Sequence, residues 1–107
     1  MIEDARSKVN ALRAIASAMA TAGDKERASA TFKQAAEVAL MIESARTKEY
    51  ALIEIVGDLF RAGDLKRALE VAQTIEDASI KASTLNAISL ALAKVPSRFY
   101  RTSSRVP

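Results

Sequence analysis

Ile42-Glu43-Ser44-Ala45-Arg46-Thr47-Lys48 repeats a motif that also stands at Ile2-Glu3-Asp4-Ala5-Arg6-Ser7-Lys8 and at Ile75-Glu76-Asp77-Ala78-Ser79-Ile80-Lys81. The offsets are 40 and 33 residues. Self-similarity at a period of about 20 to 50 residues marks a chain built from stacked supersecondary units. The register extends outward from the motif. Ala11-Leu12-Arg13-Ala14-Ile15-Ala16 aligns with Ala51-Leu52-Ile53-Glu54-Ile55-Val56 and with Thr84-Leu85-Asn86-Ala87-Ile88-Ser89, and Thr21-Ala22-Gly23-Asp24 aligns with Arg61-Ala62-Gly63-Asp64. The chain therefore holds three copies of one unit, the third incomplete.

Each unit reads as two helices. Val9, Leu12, Ile15, Ala16 and Met19 recur at the spacing of a buried helical stripe, as do Leu52, Ile55, Val56 and Leu59, and then Leu85, Ile88 and Leu92. At the turns, Gly23 and Gly63 can take the left-handed conformation that closes a helix, and Asp24 and Asp64 can cap the next one. Links this short bring the two helices together as an antiparallel hairpin. The second helices carry Ala28, Phe32, Ala35, Ala39 and Ile42 in one unit and Ala68, Leu69, Ala72 and Ile75 in the next. The expectation is an all-α chain, a short α-solenoid of antiparallel helix hairpins with about five helices: two full repeats plus one half repeat.

The difference between the two offsets is seven residues, close to two helical turns, so the extra residues lengthen a helix and keep its apolar face. The helix over residues 25–42 is accordingly expected to be the longest and to project. It would offer Ala36, Leu40 and Met41 either to the second unit or to a self-association surface. Gly57, inside a helix at a cost of about 1 kcal/mol relative to Ala, reads as a place where helices approach closely.

Composition agrees and excludes. Of 107 residues, 22 are Ala, and 27% are charged, with no Cys, His or Trp, a helix-forming mixture. Without Cys or His there is no zinc finger, disulfide framework, Cys nucleophile or Ser-His-Asp triad. Glu26 with Lys33 and Glu43 with Lys48 read as surface charges, so no enzyme, cofactor or metal is expected. The longest stretch without charge, residues 82–93, is short of the roughly 18 to 20 residues of a membrane span. The acidic stretch Met1-Ile2-Glu3-Asp4-Ala5-Arg6 does not read as a secretory signal, and the expected location is the cytoplasm.

The net charge of +3 equals the three arginines of residues 96–107, Arg98, Arg101 and Arg105, which leaves residues 1–95 neutral. The reading is a helical repeat domain over 1–95 and a basic, irregular tail over 96–107. A tail carrying Phe99, Tyr100 and arginines could stack on single strands, but a neutral folded part disfavours nucleic acid as the main partner.

A helical hairpin of about 33 residues, with Leu and Ile in the first helix, Gly-Asp at the turn and Ala four residues later, resembles the tetratricopeptide-like repeats. On that pattern Leu12, Ile15, Ala16, Met19, Ala28, Phe32 and Ala35 take the packing positions of the first unit, and Leu52, Ile55, Val56, Leu59, Ala68, Ala72 and Ile75 those of the second. The resemblance implies a protein-binding scaffold whose first helices line a concave groove for a peptide or a partner helix. Carried over residue by residue, the groove would hold Asn10, Arg13, Ser17 and Thr21, then Tyr50, Ile53, Glu54, Gly57 and Arg61, then Ser83, Asn86, Leu90 and Lys94. Arg13 and Tyr50 are the strongest candidates, being of the types that carry binding energy at interfaces. The Lys and Asn pair with which some relatives clamp a terminal carboxylate is not matched, since Arg13 and Ser17 stand there.

The last helix, over residues 79–94, lacks a partner helix and leaves Ile88, Leu92 and Val95 on an edge. A homodimer through Leu40, Met41, Ile88 and Leu92 is the alternative to the scaffold.

Overall fold

The computed structural model describes the backbone of residues 2–104 and the side chains of residues 5–93. Among the described residues the chain is entirely helical, with α1 at Ile2–Thr21, α2 at Lys25–Ala39, α3 at Ala45–Ala62, α4 at Leu65–Ala72 and α5 at Ala78–Ser104. No helix among them is long and apolar enough to cross a membrane.

The sequence repeat returns in the backbone hydrogen bonds. At the end of α1, Gly23 N–H donates to Ala20 O and Asp24 N–H to Met19 O; at the end of α3, Gly63 N–H donates to Phe60 O and Asp64 N–H to Leu59 O. Both are Schellman closures, which require a positive φ at the closing residue; Gly23 has φ 92° and Gly63 has φ 82°. Asp24 and Asp64 then accept from the N–H groups of Arg27 and Arg67, capping α2 and α4 as their spacing predicts. The second helices end alike without glycine. Ile42 N–H donates to Ala39 O and Ile75 N–H to Ala72 O, in tightened last turns that deliver two isoleucines, each 1% exposed, into the core. Ser44 and Asp77 cap the helices that follow.

Packing follows the repeat as well. α1 lies against α2, α3 against both α4 and the first pair, and α5 against α4. One apolar cluster runs through these contacts, with Val9, Ala16, Phe32, Ala35, Ile42, Leu52, Ile55, Leu59, Ala72, Ile75 and Ile88 all but sealed from solvent. Fully burying a Val, Leu, Ile or Phe side chain contributes roughly 1.5 to 3 kcal/mol, so the apolar stripes, more than local propensity, hold the helices together.

Three sequence expectations need correction. The seven extra residues do lengthen α2, which has 15 residues against 8 in α4, yet α2 is shorter than α1, α3 and α5. Its last expected turn, residues 40–42, unwinds to bring Ile42 inward. Ile15, assigned to the buried stripe, is 48% exposed, whereas Ile55 and Ile88 in the same register are 0% and 1% exposed. Ile55 lies on α3, which packs on α1 and α2, and Ile88 on α5, which packs on α4. The backbone of α5 also continues helical through Pro96 to Ser104, past the position where the tail was expected to begin; residues 105–107 lie outside the described residues.

Candidate functional interface

Arg6 and Arg13 stand seven residues apart on α1, and Glu54 and Asp58 four apart on α3, so each pair occupies one face of its helix. Where α1 meets α3 these faces join. Arg13 Nε donates to Asp58 Oδ2 at 2.7 Å and its Nη2 to Asp58 Oδ1 at 3.3 Å, while its Nη1 reaches Glu54 Oε1 at 3.0 Å. Arg6 Nη2 donates to the same Glu54 oxygen at 3.4 Å, and Arg61 Nη2 to Asp58 Oδ1 at 2.6 Å. The planar fork of Arg13 thus uses all three nitrogens on two carboxylates one helical turn apart. The hydrogen bond to Asp58 foremost, and then the negative charges of Asp58 and Glu54, raise the Arg13 pKa against the opposing pull of burial. The cluster holds three cations against two anions, and Arg6 Nη1 is buried without a hydrogen-bond partner.

Several cavities border α3, and two of them lie along the ridge, one toward α5 and one toward α1. The first, about 530 Å³, lies between the N-terminal halves of α3 and α5 and is lined by Ala45, Arg46, Glu49, Tyr50, Ile53, Asp77 and Ile80. Its rim is fixed by Glu49, which accepts from the N–H of Asp77 at 3.2 Å. The second, about 340 Å³, lies toward α1 and the start of α2 and is lined by Ser17, Thr21, Lys25, Asp58 and Arg61 with Ala20 and Ala62. Lys25 makes no salt bridge among the described residues, and the Arg61 side chain is 74% exposed despite its bond to Asp58. The first cavity therefore mixes Tyr50, Ile53 and Ile80 with the charged Arg46, Glu49 and Asp77, and the second is basic with two hydroxyls.

Tyr50, Glu54, Gly57 and Arg61 recur at helical spacing and form the ridge of α3 between the two cavities. Gly57 is not there for close helix packing, contrary to the sequence expectation. A Cβ placed on it would meet nothing nearer than the Arg61 guanidinium nitrogens at 3.9 and 4.0 Å, so no neighbouring helix requires a glycine.

The residues nominated from sequence separate accordingly. Tyr50, Ser17 and Arg61 line cavities, and Glu54 stands half-exposed between them. Arg13 does not present free donors, because it is committed to Glu54 and Asp58 of its own chain. Asn10 and Asn86 are exposed and outside both cavities. Leu40 and Met41 are exposed at the turn after α2, 41% and 75%, but Ile88 is buried and Leu92 is packed against the core. The four residues nominated for self-association therefore do not make one open surface, since α5 turns Ile88 inward where it meets α4. Asp58 was missed. The sequence shows an acid one turn after Glu54, but not which cations it faces. Among the described residues no group of acidic side chains is arranged to hold a metal ion. Compared with known proteins, the chain matches no family model, no curated protein and no solved structure.

Proposed function

We propose that the five helices stack as a short tetratricopeptide-like α-solenoid of antiparallel hairpins, two full repeats and one half repeat, and that the chain is a non-catalytic scaffold holding a protein segment in the groove along α1, α3 and α5. The observation that carries the reading is the ridge of α3 with a cavity on either side, each of a size that takes one or two side chains. The Arg6–Glu54–Arg13–Asp58–Arg61 network supports it by tying α1 to α3, so a segment would meet a preorganised surface and lose little affinity to ordering it. Exposed Tyr50 supplies an aromatic anchor of the type favoured at interfaces.

The test is selection of a displayed library of random twelve-residue peptides on the full chain. The reading expects enriched peptides whose capture falls at least tenfold on Tyr50→Ala, with the fold intact by circular dichroism. Failure to enrich any peptide would overturn it.

A second reading, self-assembly, draws on adjacent Leu40 and Met41, which are exposed beyond α2. Light scattering across a dilution series separates the two. A dimer that survives dilution and is abolished by Met41→Lys favours assembly, and a monomer throughout favours the groove.

A further inference from the structure

Another cavity, about 390 Å³, opens where the end of α3 and the start of α4 meet α5, lined by Phe60, Arg61, Gly63, Leu65 and Ala91. It is the second unit's counterpart of the Lys25 cavity: Phe60, Arg61 and Leu65 stand 40 residues after Ala20, Thr21 and Lys25, and Ala91 stands 33 after Asp58. The charged Lys25 and Asp58 of the first cavity are thus Leu65 and Ala91 in this one, and Arg61 is the one charged side chain lining it. At the opposite end of the helices the chain exposes an apolar corner, Leu40 and Met41, 41% and 75% exposed. The two ends are fixed by their linings. The Gly23 and Gly63 turns share one end, where Ala20, Lys25, Ala62 and Gly63 border a common cavity, and the links before α3 and α5 share the other, where Ala45 and Asp77 do. The corner of one copy therefore reaches the cavity of another by stacking along the helix axes, with no helix unpacked. Charge matches as well. Glu37, one turn before Met41, and Glu43 are exposed and make no salt bridge among the described residues, and the cation that follows Glu43 most closely, Arg46, lines the Tyr50 cavity. Beside the Leu65 cavity, the Arg61 side chain is 74% exposed, and Lys66 is exposed with no salt bridge among the described residues; the neighbouring Asp64 is turned to the Arg67 N–H.

We propose that copies of this chain associate head to tail, with Leu40 and Met41 of one copy seated in the Phe60–Leu65–Ala91 cavity of the next, and Glu37 and Glu43 set against Arg61 and Lys66. Removing these apolar side chains from water drives the contact, and the opposed charges fix its register and direction. The contact is heterologous, so it does not close on itself: every assembly keeps a free cavity at one end and a free corner at the other. Two side chains and their rims bury far less than the roughly 1,200 Å² of a stable complex, so the assembly comes apart on dilution, unlike the dilution-resistant dimer that stands against the scaffold reading. It goes beyond that reading and is compatible with it, because Tyr50 takes no part and stays open to a bound segment.

Sedimentation velocity of the full chain from about 10 μM to about 1 mM should show a weight-average mass that climbs with concentration and does not level at the dimer. Met41→Lys and Leu65→Lys should each hold the chain monomeric over that range with an unchanged helical circular dichroism spectrum; lysine is the residue that the first unit carries at the position of Leu65. Mixed in equal amounts, the two variants should form a heterodimer and nothing larger, because Met41→Lys keeps an open cavity and Leu65→Lys keeps an intact corner. A mass that levels at the dimer, association that survives Leu65→Lys, or a mixture of the two variants that stays monomeric would overturn the head-to-tail seating. A monomer at every concentration would overturn the association altogether and leave the scaffold reading standing.

Discussion

Replacing Arg13 with Met keeps the aliphatic stem and removes the guanidinium that joins α1 to α3. Asp58, 7% exposed, then loses two of its three hydrogen bonds, and Glu54, 39% exposed at the side chain, loses one of two. Breaking a fully buried ion pair costs about 3 to 5 kcal/mol, and an exposed pair about 0 to 1 kcal/mol. The Arg13 side chain is 23% exposed and Arg61 still holds Asp58. The expected loss therefore falls between those limits, at about 1.5 to 3 kcal/mol. Each kcal/mol moves the midpoint of a domain this size by roughly 4 to 8 °C, so a loss of about 2 kcal/mol lowers it by about 8 to 16 °C. Urea and thermal unfolding followed by far-ultraviolet circular dichroism suit a chain that has no Trp. Adding Asp58→Leu to Arg13→Met removes the stranded carboxylate and should return a large part of the loss, a strong departure from additivity. A loss under about 0.5 kcal/mol for Arg13→Met, or single losses that simply add in the double variant, would refute the claim that this network fastens the two helices.

Two glycines with opposite roles give a paired prediction. Gly63→Ala, at φ 82°, should destabilise by about 1 to 2 kcal/mol, and Gly57→Ala should stabilise by about 0.5 to 1 kcal/mol, both read from urea midpoints. Of two isoleucines in the same register, Ile55→Ala should cost about 2 to 5 kcal/mol and Ile15→Ala under about 1 kcal/mol, because Ile55 is sealed and Ile15 is 48% exposed. The pH dependence follows from the raised Arg13 pKa. A cation whose folded-state pKa is raised contributes stability that is complete below its unfolded pKa and is lost only as pH rises through the folded value. That window lies above ordinary buffers, so the difference in midpoint between the unsubstituted chain and Arg13→Met should be the same at pH 7 and pH 10; a difference that shrinks by half at pH 10 would contradict it.

The all-helical character was legible because two signals of different kind coincide. The apolar spacing of Leu52, Ile55, Val56 and Leu59 marks a buried stripe, and Gly63-Asp64 marks where that helix stops and the next starts. Backbone closure at glycine and capping at aspartate depend only on neighbours in sequence, so they survive unchanged in the hydrogen bonds. What depends on tertiary neighbours was not legible. Ile15 and Ile55 have the same local spacing, and the packing of α3 on α1 and α2, which seals Ile55, is not written in that spacing. Arg13 reads in sequence as a groove residue offered to a partner, because nothing in a linear chain shows that Glu54 and Asp58, more than forty positions later, converge on its guanidinium. Gly57 could not be interpreted until its surroundings were known, since a glycine that relieves a clash and one that leaves a gap look the same in sequence.

The most direct test of the groove is amide chemical-shift mapping of the isotope-labelled full chain during titration with the best peptide from the random library. The scaffold account predicts that the largest perturbations fall on the ridge and rims of α3 and its neighbours, at Ser17, Thr21, Lys25, Tyr50, Ile53, Gly57, Arg61 and Ile80. Perturbations centred instead on Lys33, Glu37 and Met41 of α2 and its following turn, or on Lys66 and Glu70 of α4, with the α3 ridge unmoved, would contradict it.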